Sequence, residues 1–190
     1  MGTDILESVR KSRGLSQSAL ARKTRTFQAN ISSIESGKTD PGISTLEQCL
    51  APLGYSLIAI PTRTPSVSQT SLKIAEAVSR NQDSRAYRLI IQLSDNLKGL
   101  PPELCLALSI TPPPLTGDSK YDALIAATVE YHLTENSLPV PAWIRDSERK
   151  LDKPESVDIY EENLKDLAAH TPRAFRRHNV LIDKSELVSI

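Results

Sequence analysis

The 190-residue sequence has no excess charge of either sign, because 23 Lys and Arg balance 23 Asp and Glu. Any surface for a polyanion must therefore come from local placement and not from bulk charge. Cysteine is nearly missing as well. Cys49 and Cys105 lie far apart, each in an apolar helical pattern and outside any CxxC or Cys/His pair, which leaves no metal site and two reduced core thiols. No apolar run follows a basic start, and none approaches the roughly 18 residues that span a bilayer, so a cytoplasmic protein without a membrane partner is expected. The seven glycines form no dinucleotide or phosphate-loop pattern, and His132, His170 and His178 are scattered. Neither a cofactor nor a catalytic group emerges, and an enzyme is not expected. Glu161, Glu162 and Asp166 read as the solvated face of a helix.

A 39% hydrophobic content suffices for one medium core or two small ones, and the organisation favours two. Residues 1–60 carry seven basic and five acidic side chains and the remainder sixteen and eighteen, a slight asymmetry of about +2 against −2. From Thr3 to Leu53 the pattern predicts five short helical pieces. Gly14 ends the first, and Ser16 caps a second over Gln17–Lys23. A third runs over Gln28–Ser36 and stops at Gly37. Ser44 and Glu47 have the spacing of a capping box for a helix reaching Leu53, and the fifth piece is only a turn near Pro41. Tyr55–Ile60 is apolar and rich in strand formers, and Pro61 closes it, so a short strand is expected there. It has no partner nearby in the chain, and a second copy across a two-fold axis would supply one.

Residues 61–70 are rich in Pro, Ser and Thr without apolar periodicity and read as a linker. Residues 71–190 then read as a mostly helical domain, with helix periodicity over 71–80, 84–97, 102–109, 119–134, 141–151 and 159–169. Pro101-Pro102 and Pro112-Pro113-Pro114 make corners between helices. Asn179–Asp183 is either a short strand or a buried loop. The fold class is therefore mainly α: a domain over 1–60 with a short dimerising strand, a linker over 61–70 and a helical domain over 71–190.

The stretch from Leu15 to Gly37, LSQSALARKTRTFQANISSIESG, resembles the Cro/phage-repressor type (XRE family) of helix-turn-helix regulators at matching spacing. Leu20, Ala21, Ile31 and Ile34 stand at that family's core positions, and the likeness continues through Lys38, Pro41 and Leu46. Two residues depart from the pattern. Arg25 stands where the family usually has Gly, in a turn that often demands positive φ, and Phe27 stands where a small polar N-cap is preferred. Thr26 is the neighbour left to take over part of the capping, which would shift the helix start by one residue.

The resemblance implies a lambda-repressor-like fold and binding to double-stranded DNA, with the second helix of the motif in the major groove. Its early exposed side chains, Gln28, Ala29, Ser32 and Ser33, are then the base-reading candidates. Gln28 has the geometry for a bidentate pair with adenine, and Ala29 for contact with a thymine methyl. The bland alternative for Gln28 is a solvated amide on an exposed face. Gln17 at the start of the preceding helix, with Arg25, Asn30, Lys38 and Thr39 at the ends of the motif, are phosphate-contact candidates. Arg10 and Glu35 match positions that form a partly buried ion pair in relatives, an architectural role. A dimer implies a palindromic operator.

In the second half, Leu138–Trp143 and His170–Asp183 resemble the carboxy-terminal part of helix-turn-helix antitoxins paired with abortive-infection nucleotidyltransferase-like toxins. That likeness implies a repressor that autoregulates its operon and holds a protein toxin through this half. Arg173, Phe175, Arg176 and Arg177 are the partner-binding candidates, facing an acidic toxin surface or DNA phosphate. For Trp143 a core position is the favoured reading. The alternative function is a one-component regulator whose helical half encloses a small effector.

Overall fold

A computed structural model describes residues 2–157 and 164–183, with the side chains of residues 2–4 and 164–166 left aside. These residues fall into two compact units, one holding the chain through Arg63 together with Thr111–Pro114, the other holding Thr64–Ile110 and the chain from Leu115 on. Both units are built mainly from helices.

The first unit contains α1 (Gly2–Ser12), α2 (Gln17–Lys23), α3 (Gln28–Glu35) and α4 (Ile43–Leu50), followed by a 3-10 turn over Ala51–Leu53. The stops are local. Gly14, Gly37 and Gly54 have φ of +64°, +71° and +80°, a region a Cβ penalises, and the Ser16 hydroxyl accepts from the Ala19 amide at the start of α2. Leu6, Val9, Leu20, Ala21, Ile31, Ile34, Cys49, Leu50 and Leu53 form one buried cluster that packs α1, α3 and α4 together. Burial raises the Cys49 thiol pKa, which fits a core residue.

Two expectations in this unit need correction. The capping box at Ser44 and Glu47 does not form: α4 begins at Ile43, so Ser44 is already inside the first turn and Gly42 is the N-cap without a side-chain bond. The fifth helical piece is the 3-10 turn at Ala51–Leu53 and not a turn of helix near Pro41. Residues 55–60 have no strand partner among the described residues of one copy, as expected for an edge that only a second copy could pair, and Ile58 stands 80% exposed.

The second unit contains α5 (Val67–Ser79), α6 (Asp83–Lys98), α7 (Pro102–Ser109), α8 (Ser119–Glu135), β1 (Glu155–Ser156), α9 (Leu164–His170), α10 (Arg173–Arg177) and β2 (Val180–Leu181). Every residue of α8 from Tyr121 to Glu130 is buried, so this helix is the axis on which α6, α7 and α10 pack. Residues 67–70, expected in the linker, belong to α5. Ser66 and Gln69 form a reciprocal capping box, and Val67, Ser68 and Thr70 are buried, so a composition that reads as linker here starts a helix.

The expected helix over 141–151 is two 3-10 turns, Ala142–Arg145 and Ser147–Arg149, split by Asp146 in an extended conformation. The split lets Trp143, Ile144 and Leu151 reach the core while Arg149 also turns inward. Of the expected helix over 159–169, residues 159–163 lie outside the described residues, as do Glu161 and Glu162 and the side chain of Asp166. Asn179–Asp183 contains β2, whose partner β1 runs parallel to it with Glu155 opposite Val180.

Candidate nucleic-acid interface

The geometry of the first unit starts from a buried ion pair. Arg10 on α1 donates through Nε and Nη2 to the two carboxylate oxygens of Glu35 on α3, at 2.7 and 2.8 Å, and through Nη1 to the Leu15 carbonyl at 2.6 Å. Both residues are over nine-tenths buried, and the hydrogen bond to Glu35 raises the Arg10 pKa further. The pair thus ties the first helix to α3, as its match to relatives implied.

From this anchor a series of hydrogen bonds runs outward. Gln17 Nε2 donates to Glu35 Oε2 at 2.9 Å, and Gln28 Nε2 donates to Gln17 Oε1 at 2.7 Å. Gln28 is exposed at the first position of α3, so its amide is held in place from behind while its face meets solvent. Ala29 next to it is also exposed, whereas Ser32 and Ser33 are half-buried. The Ser33 and Thr39 hydroxyls lie 2.7 Å apart and bond to one another. Lys38 is exposed, and Asn30 donates to the Thr26 hydroxyl at 2.9 Å.

The turn between α2 and α3 shows how the two departures from the family pattern are handled. Arg25 takes φ of +54°, the left-handed region that favours Gly, at a cost of about 1–2 kcal/mol for a residue with a Cβ. Phe27 is the N-cap of α3 and makes no capping bond. Thr26 does not take over that role, since its hydroxyl is engaged by Asn30, and the helix start stays at Gln28.

With this geometry in place, residues 6–60 match the family model described as helix-turn-helix. Residues 6–60 form a helix-turn-helix domain. No curated protein and no solved structure matches the chain significantly. A helix-turn-helix domain supports a DNA-binding transcriptional regulator, with α2 and α3 as the two helices of the motif. No helix among the described residues is long and apolar enough to cross a membrane.

The partner-binding candidates of the second unit are not brought together on one surface. Phe175 has no exposed area and packs in the core, with its ring 6.1 Å from that of Tyr131. It therefore cannot anchor a partner, and the pattern that suggested it was a core pattern. Trp143 is core as expected, its indole N–H donating to the Ser109 carbonyl at 3.0 Å. Arg173 and Arg176 are exposed on α10, while Arg177 is half committed inward and bonds to Glu130.

That bond belongs to a buried polar group the sequence reading missed. Glu130 on α8 takes Arg177 and His178 Nε2, the latter at 3.0 Å, and His178 Nδ1 meets the Arg149 carbonyl at 2.6 Å. Arg149 lies 3.4 Å from Asp122, with its guanidinium over the Trp143 ring. Burial pushes the Glu130 pKa up, but its bonds to His178 and Arg177 outweigh this and hold it below the usual range. Burial of Arg149 lowers its pKa, against the pull of Asp122. The available signal was Asp122 and Glu130 flanking the apolar run from Ala123 to Ala127 of α8.

Proposed function

We propose that the chain is a sequence-specific repressor that binds a palindromic operator as a homodimer. The single observation that carries this reading is the run of contacts Arg10, Glu35, Gln17, Gln28, which holds a base-reading amide at the exposed start of α3. Gln28 and Ala29 read bases, with Ser32 and Ser33 behind them. Gln17, Arg25, Asn30, Lys38 and Thr39 position the phosphate backbone. Dimerisation proceeds through residues 55–60, whose apolar side chains Leu57 and Ile58 are exposed and whose backbone has no strand partner among the described residues of one copy.

The second unit, in this proposal, holds a nucleotidyltransferase-like toxin, making the chain an antitoxin that autoregulates its operon. Support comes from the resemblance of the Leu138–Trp143 and His170–Asp183 stretches and from the exposed cations Arg173 and Arg176. A second reading, regulation by a small effector, is favoured by a cavity of about 300 Å³ lined by Tyr131, His170, Arg173 and Arg177. Purification of the tagged chain from its host, with sequencing of bound DNA and mass spectrometry of bound protein, tests both. Its own promoter with a nucleotidyltransferase-like partner supports the antitoxin, promoter DNA alone supports the effector-responsive regulator, and absence of bound DNA overturns the repressor.

A further inference from the structure

The largest unexplained feature of the helix-turn-helix domain is Phe27, a phenyl ring 78% exposed at the N-cap of α3. The position normally rewards a Ser, Thr, Asn or Asp side chain, which stabilises a helix start by about 1 kcal/mol. Phe27 gives no cap bond and is absent from the buried cluster of its unit. Nothing among the described residues accounts for an aromatic ring at this point. Its neighbours do: it is adjacent in sequence to Gln28, whose amide is fixed by Gln17, and two residues from the exposed methyl of Ala29.

We propose that Phe27 reads a thymine through its 5-methyl group, making an apolar contact in the major groove beside the base that Gln28 hydrogen-bonds. The inference rests on the DNA-binding reading above and deepens it. Among the groups on base edges in the major groove, the thymine methyl is the apolar one, and a ring that projects from the end of the recognition helix is suited to cover it. A fixed polar reader with an apolar reader on this side, beside Ala29 on the other, specifies an adenine and a thymine on neighbouring steps and lengthens the sequence read by one base.

The test uses the full chain and a site obtained by in vitro selection from random duplex DNA. Each thymine of the selected site is replaced singly by deoxyuridine, which removes the methyl and leaves every hydrogen-bonding group. Loss of one buried methyl contact corresponds to about fourfold in affinity. The expected result is a loss of that size, for the natural chain, at a thymine of each half-site where Phe27→Ser shows none, beside any loss at a thymine that Ala29 contacts, which both proteins share. The serine supplies the missing cap, so this variant keeps or raises thermal stability, which separates loss of a contact from loss of fold.

Equal losses for both proteins at every thymine mean that another side chain covers the methyl and overturn the assignment. Unchanged affinity at every deoxyuridine overturns it too, while enrichment of a site leaves the DNA-binding reading standing. Failure to enrich any DNA overturns both.

Discussion

Gln17 accepts the Gln28 amide at 2.7 Å and itself donates to Glu35 at 2.9 Å, so the residue that starts α2 governs the residue that starts α3. Gln28→Ala is expected to relax preference at one base position per half-site, at about 1–3 kcal/mol. Gln17→Ala weakens binding to all sequences and, because it frees Gln28, also loosens preference at that same base. The double variant should therefore lose less than the two single losses combined, by gel shift on matched and mismatched sites. Additive losses would show that the bond between the amides has no role in binding.

The ion pair behind them makes a stability prediction. Arg10→Met or Glu35→Gln alone leaves one buried charge without its partner and should cost about 3–5 kcal/mol in urea unfolding. Arg10→Met combined with Glu35→Leu should recover most of that loss, since the second charge is removed with the first.

Arg25 occupies a left-handed turn, and Arg25→Gly relieves about 1–2 kcal/mol of strain while adding about 0.4–1 kcal/mol of unfolded-chain entropy. The net expectation is a gain of between about 0 and 1.6 kcal/mol. If Arg25 contacts a phosphate, the same variant binds DNA more weakly at every sequence, and its salt slope falls by about one. Calorimetry and a salt titration read the two effects separately.

His132 on α8 is buried with Nε2 2.8 Å from the Ser94 hydroxyl, and burial, with Lys98 adding to it against Asp95, pushes its pKa down to about 4. Between that value and the unfolded value near 6.5, the unfolded chain binds more protons than the folded one. The contribution of neutral His132 to stability is thus complete above about pH 6.5 and is lost as pH falls toward 4, by at most about 3 kcal/mol. His132→Gln should flatten the pH dependence of unfolding in that window.

Phe175 has no exposed area, so Phe175→Ala should cost about 3–5 kcal/mol of stability. Arg173→Ala and Arg176→Ala, both exposed, should leave stability within about 0.5 kcal/mol. If α10 meets an acidic partner, these two arginine variants reduce the association rate and its salt dependence, measured against whichever partner co-purifies.

Much of the helix-turn-helix unit was legible in the sequence because its signals are local. The bounds of α2 follow from Ser16 and the apolar pair Leu20 and Ala21, and the end of α3 follows from Gly37, whose backbone conformation other residues resist. The Arg10–Glu35 pair was legible only through resemblance, since 25 positions separate the two residues and no local rule joins them. The hold of Gln17 on Gln28 was not legible at all: both side chains look like surface amides until α2 and α3 are folded against each other.

The sequence by itself determined a mainly helical chain and the positions of Gln28 and Ala29 at the start of α3, because periodicity and backbone sterics act within a few residues; the left-handed turn at Arg25 was legible only through the family resemblance. Ser66 and Gln69 carried a local signal for a helix start, a capping box, inside a composition that suggested a linker. Tertiary structure alone decided that residues 141–151 break into two tight turns, and that Phe175 lies inside while Phe27 lies outside. An aromatic side chain carries the same apolar area in either place, and only the neighbours that the fold brings to it decide whether that area is buried.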